Sequence, residues 1–366
     1  MQLALSLNRW IYKVDTFTQD PRAGIMEGNM KILVLSDMTV SSVIRQQMPA
    51  EVLVRKYNHD INIASVFKLD DSILTGYDLY WLIRPTEGVA KLMDFIRSKI
   101  NPKAKFLIDQ DDCFDAIPKT HVAYKFLGKG NPSQQGACLE AMMRADIVTV
   151  SSSQLRDYYA QFNPRIVPNG WTNLNAMWKQ ENCPKHDGII IGWAGTITHR
   201  EDYKMAHPAV QQIMAEYPET KIVIGNDEEI FNLYRKIPLS RKAYVPLLPY
   251  GSYPGLVMNF TILLAPLKND EFNQYKSDIK LVEAGAAMKP YVASAVPNYK
   301  AWGVGGLLAE TPEEFYTHLK TLVTDEKLRK SLAVKGHKKA LGREVNELVD
   351  NYWSKIVEEA ISNERP

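Results

Sequence analysis

One pattern constrains this chain more than any other. Short apolar runs, each closed by polar turn residues, alternate with stretches of helical period, and the whole alternation occurs twice. In the first half the runs are KILVLS (31–36), EVLVRKY (51–57), DLYWLIR (78–84), AKFLID (104–109), DIVTVSS (146–152) and RIVPN (165–169). Between them lie EGVAKLMDFIRSKI (87–100), QGACLEAMMRA (135–145) and SSSQLRDYYAQF (151–162), the last opening on serines that suit a helix cap. Runs without in/out alternation are buried on both faces, as strands of a parallel sheet are when helices cover it.

The second half repeats the theme with GIIIGWAG (188–195), KIVIGN (221–226), AYVPLL (243–248), FTILLAP (260–266) and PYVASA (290–295). Helices are expected at 204–216, 227–236, 253–258, 277–287 and 311–323. Strand–helix alternation of this kind predicts an α/β fold of two doubly wound parallel-sheet domains facing a cleft. The expected domains are 30–170 and 188–340, with a turn-rich joint at 170–187. EVNELVDNYWSKIVEEAI (344–361) reads as an amphipathic helix that returns to the first domain. Residues 1–29 read as an appendage or as sequence upstream of the natural start.

Composition removes several function classes. With 366 residues, two full cores are affordable. Lys+Arg 44 against Asp+Glu 42 leaves +2, so bulk charge drives neither nucleic-acid nor membrane binding. No apolar stretch is long enough to span a bilayer. Cys113, Cys138 and Cys183 form no CxxC, which points to a reducing, cytoplasmic setting and away from a zinc site.

Ligands of open α/β sheets bind beyond the carboxyl ends of the strands, so the segments following strands matter most. Gly195 and Thr196 follow a buried run and offer backbone N–H groups to a phosphate, or simply make a tight turn. His199 and Asp202 stand at helical spacing and read as a surface pair. In the loop 266–276, Asp270, Glu271 and Asn273 precede Lys276 and Ser277. Lys280 and Glu283 then share one helix face. They form either an ordinary salt bridge or a cation for a diphosphate beside a carboxylate for a ribose. Asp109, Asp111 and Asp112 crowd the end of another run, as turn formers, base or hydroxyl ligands. Pro168-Asn169-Gly170 suits a hinge.

The ordered set ADIVTVSSSQLRDYY (145–159), RIVPNGW (165–171), IGWAGTITHRED (191–202) and LLAPLKNDEFNQYKSDIKLVEAGAAMKPYVAS (263–294) resembles the two-Rossmann (GT-B) glycosyltransferases of the glycosyl transferases group 1, or family 4, type. The resemblance implies a sugar transferred from a nucleotide-sugar (UDP-, GDP- or ADP-) to a hydroxyl acceptor with retention. No cofactor is obligatory, and no metal is strictly required if a helix N-terminus, Lys276, Lys280 and glycine N–H groups neutralise the leaving group. Gly195, Thr196, His199, Arg200, Asn273, Lys276 and Glu283 would face the donor. Glu283 matches the second glutamate of the family's E-x7-E motif, and Lys280 the diphosphate cation. With Lys280 and Glu283, Asp111 and Asp112 are the candidate catalytic residues; Ser36, Asp37 and Arg45 fall on the acceptor side.

Three departures stand out. Tyr275 occupies the first glutamate position of E-x7-E. His199 and Arg200 replace the usual Arg…Lys pair. SDMTVSSVIRQQMP (36–49) replaces the usual glycine-rich loop. Two other readings remain open. One is a phage-type transferase acting on hydroxymethylated DNA bases, which needs a basic stripe such as Arg45, Arg55, Lys56, Lys125 and Lys129. The other is a non-catalytic nucleotide- or sugar-binding protein of the same architecture.

Overall fold

The computed structural model describes residues 30–184 and 186–362; the appendage 1–29 lies outside the described residues. The first sheet contains β1 (Lys31–Ser36), β2 (Asp60–Ser65), β3 (Leu79–Ile83), β4 (Lys105–Gln110), β5 (Ile147–Val150) and β6 (Arg165–Ile166). The second contains β7 (Ile190–Ala194), β8 (Lys221–Gly225), β9 (Lys242–Val245), β10 (Ile262–Ala265), β11 (Tyr291–Ser294) and β12 (Gly306–Ala309). The spatial orders are β2-β1-β3-β4-β5-β6 and β12-β11-β10-β7-β8-β9. Every pairing is parallel. Chain direction across the sheet therefore reverses at β1/β3 and at β7/β10, and a crevice opens at each reversal.

The central strands β3, β5, β7, β10 and β11 are buried along their whole length, which explains why only Thr149 and Ser294 interrupt their apolar sequences. One sequence expectation fails. EVLVRKY is not a strand but the body of a helix, Met48–Tyr57. The helix runs in from Val40 through a π-helical turn at Val43–Gln47, Arg55 and Lys56 lie in its last turn, and Asn58 closes it in the left-handed conformation. These stop signals, with the helix already running, outweigh the β-branched run. The strand of this unit is β2, a sheet edge with no fully buried residue.

The chain passes between the sheets twice, and the two passages lie side by side. Trp171 bridges Glu344 in parallel, its N–H donates to the Arg343 carbonyl, and its indole donates to the Ala340 carbonyl at 2.7 Å. A Cβ on Gly170 would lie 2.3 Å from the Arg343 carbonyl oxygen, so only glycine permits this contact. Beyond it, Val345, Leu348, Val349, Trp353, Ile356 and Val357 join the core on one face of the first sheet. There Trp353 meets Trp81 at a centroid distance of 4.5 Å. The small residues at 284–287 serve a helix crossing: Gly285 packs against Gly336 of the helix Glu326–Leu341.

Candidate functional site

At the β7/β10 reversal, two loops are stitched by one buried carboxylate. Asp202 takes His199 Nδ1 on Oδ2 at 2.8 Å. Its Oδ1 accepts the Asn273 amide at 2.7 Å and the Lys268 N–H at 2.9 Å. Burial opposes the charge on Asp202, but the His199 contact and these N–H donors outweigh it and hold the carboxyl below its usual range. The pair expected on the surface is thus an internal anchor. Thr196 stays exposed, with its hydroxyl 2.7 Å from that of Thr198. Gly195 has a structural reason of its own: a Cβ there would strike the Trp193 ring at 2.2 Å. Arg200 turns away to Asp227 and Glu229, at 2.7 and 2.5 Å.

The helix Ile279–Ala286 carries the second cluster. Glu283 is 3% exposed and its Oε2 accepts the Tyr253 hydroxyl at 2.8 Å. Lys280 reaches both, 2.6 Å from Tyr253 Oη and 3.1 Å from Glu283 Oε2. Burial, reinforced by the nearby Glu283 charge, pushes the Tyr253 phenol well above its usual range, so it stays a donor. At the helix entrance Arg343 grips Asp278 through both guanidinium nitrogens, and Asn169 donates to the Ser277 hydroxyl at 2.8 Å. Both inter-sheet passages therefore hold the start of the helix that bears Lys280 and Glu283.

The opposing face belongs to the first sheet. Arg84, following β3, makes two bonds to Asp111, at 2.5 and 3.0 Å, and lies 3.6 Å from Asp112. Burial resists the Asp111 charge, yet Arg84 prevails and holds that carboxyl below its normal range. Lys276 crosses from the second sheet to Asp112 Oδ2 at 2.8 Å. Asp112 Oδ1 is buried and has no partner. The Lys276 loop also crosses with its rings: Phe272 is buried in the first sheet's core and stands 5.3 Å from His121, while Tyr275 meets Tyr158 at 5.3 Å. Burial, followed by the Lys276 and His199 charges, lowers the His121 pKa from 6.5 and keeps the ring neutral at pH 7. Asp270 caps the short turn of this loop by accepting from the Asn273 N–H.

Arg45 requires a correction. It is not an acceptor-side surface charge but one of the most buried side chains, 1% exposed. It grips Asp109 at 2.6 and 2.8 Å and also donates to the Val167 carbonyl and Asn169. Ser36 is buried too, and its hydroxyl accepts the Met38 N–H; Asp37 closes a turn with Thr39. Sequence reasoning missed Arg84, His121 and Tyr253, which lie far along the chain from the carboxylates and loops they serve. The positive φ of Arg84, 48°, is visible only in three dimensions. No group of His, Cys, Asp and Glu suited to a metal ion occurs among the described residues.

No family model matches the sequence, and no curated protein matches it. Solved structures do. HepE of Anabaena, in complex with UDP and glucose, superposes with a TM-score of 0.64 at 14% identity, covering 90% of this chain and 100% of that one. Sucrose-phosphate synthase of Thermosynechococcus elongatus gives 0.66 at 13%, covering 92% and 100%. The fold is the two-Rossmann GT-B architecture. The GT-B layout also appears in a UDP-GlcNAc 2-epimerase of Neisseria meningitidis bound to UDP-GlcNAc, at 0.52 and 11%, covering 91% and 100%. A GT-B fold thus hosts more than one chemistry, and the site must decide which. No described helix is long and apolar enough to cross a membrane. Cys113 and Cys138 are buried, and burial pushes both thiols up to about 12.

Proposed function

We propose that this GT-B chain is a glycosyltransferase that moves a sugar from a nucleoside-diphosphate sugar to a hydroxyl acceptor, with retention. One observation carries the reading: a buried carboxylate, Glu283, held by Tyr253 and Lys280 on a helix that starts at the inter-sheet passages. Glu283 accepts the ribose hydroxyls, while Lys280 neutralises the departing diphosphate. The neighbours that hold UDP favour a UDP-sugar among the three donor classes. Lys276 spans the cleft to Asp112; a diphosphate competes for that cation and leaves Asp112 free to receive the acceptor hydroxyl.

The acceptor oxygen bonds to the anomeric carbon as the bond from that carbon to the phosphate oxygen breaks. The nucleoside diphosphate leaves with the electron pair and takes the acceptor proton. Closure about 169–171 and 343–345 excludes water and limits donor hydrolysis. Burial of Arg45 removes one charge from the stripe a DNA acceptor needs.

The test is mutational. Glu283→Ala and Lys280→Ala each lower transfer at least tenfold, about 1.4 kcal/mol of transition-state stabilisation, while the melting curve remains cooperative. Unchanged kcat/KM in both variants removes this assignment.

A further inference from the structure

The crevice at the β1/β3 reversal differs chemically from the donor side. It contains a cavity of about 210 Å³ whose floor is apolar: Leu35, Leu82, Val89 and Phe114, with Phe67 as one wall. Phe67 is 71% exposed, so an occupant of the cavity meets its ring. A charged rim closes one side. Arg84 lies over the Phe114 ring at 6.0 Å and carries Asp111 and Asp112 behind it. Both loops at the mouth hold a non-glycine residue in the left-handed region, Met38 at φ 59° and Arg84 at φ 48°. Such strain is retained where surrounding structure enforces a particular surface. A dry cavity of about 150 Å³ holds a benzene ring, so this one takes a single ring with a substituent.

Resting on the transferase reading, we propose that the acceptor is an amphipathic small molecule. Its apolar part, about one aromatic ring in size, sits in this cavity, and its hydroxyl-bearing part lies on the polar rim of Asp37, Thr39 and Arg84, on the side where Arg84 meets Asp111 and Asp112. With Lys276 drawn to the diphosphate, the Asp112 carboxylate beside Arg84 receives that hydroxyl. Burying a ring there supplies affinity that a bare sugar cannot obtain from an apolar floor.

Phenyl β-D-glucoside and methyl β-D-glucoside, compared by ligand-observed NMR on the full chain with UDP present, separate the possibilities. The phenyl compound is expected to bind at least tenfold more tightly. Phe67→Asp, at an exposed position that folding tolerates, cuts that preference at least fivefold, and Thr86→Trp at the half-buried mouth does the same by filling the space. Equal affinities, or a preference that survives both variants, overturn the proposal. So does salt-dependent binding of a hydroxymethylated DNA duplex in place of any aryl preference. Release of UDP from UDP-glucose on the same samples reports the transferase reading separately. Ring binding without turnover refutes that reading and leaves the cavity assignment standing; turnover without ring preference does the reverse.

Discussion

Two arginine–aspartate pairs stand at the end of the same strand, and only one is open to chemistry. Asp109 and Arg45 are sealed: Thr149 donates to Asp109 at 2.5 Å, and the Val167 carbonyl and Asn169 take the Nη1 hydrogens of Arg45. Asp111 and Asp112, with Arg84, sit at the cleft, share a cation with the opposite sheet and keep one carboxylate oxygen unfilled. Identical residue types three positions apart, Asp109 and Asp112, thus have opposite fates. In a strand, residues two apart share a face, but the strand ends at Gln110, so Asp111 and Asp112 follow the loop and not the pleat. The contrast teaches that charge at a strand end marks a site only where its hydrogen-bonding capacity is left unspent.

The largest expected effect breaks the sealed pair. Arg45→Ala leaves Asp109 buried without its cation and lowers stability by about 3–5 kcal/mol in denaturant titration. Asp112→Asn costs less than half of that in the same titration, yet lowers kcat/KM at least tenfold. If both variants lose stability equally and activity is untouched in Asp112→Asn, the two pairs do not differ as described.

The smallest expected effect is a pH dependence. Burial lowers the pKa values of His59, His121 and His207 from 6.5. The unfolded chain therefore binds protons below about pH 6.5 that the folded chain resists, so stability falls as pH drops through that range. Melting temperatures between pH 7.5 and 5 check the sign; a rise on acidification contradicts it.

Much of the fold is written in local pattern. The largely apolar strands and the two-fold repetition locate most of both sheets, because strands buried on both faces have few polar residues to interrupt them. β2 escapes because, at a half-exposed edge, DINIAS has no apolar run, and EVLVRKY mimics a strand until its caps are weighed. The site is less legible. Lys280 and Glu283 are readable from helical spacing, but Tyr253, which completes their cluster, lies 27 and 30 residues away. Gly195 shows a further ambiguity: a glycine that suits a phosphate loop here also makes room for Trp193. The loop that lacks the expected glutamate spends Phe272 and Tyr275 on the opposite sheet, a use that no local pattern announces.

Sugar transfer between the two crevices is read directly from products. The full chain is incubated with UDP-, GDP- and ADP-sugars and a panel of hydroxyl acceptors, followed by mass spectrometry. Release of one nucleoside diphosphate, UDP foremost, is expected, with a matching acceptor-plus-sugar mass that Glu283→Ala abolishes. Tight nucleotide binding with neither diphosphate release nor a new mass from any donor contradicts it and leaves a GT-B protein that binds without transferring.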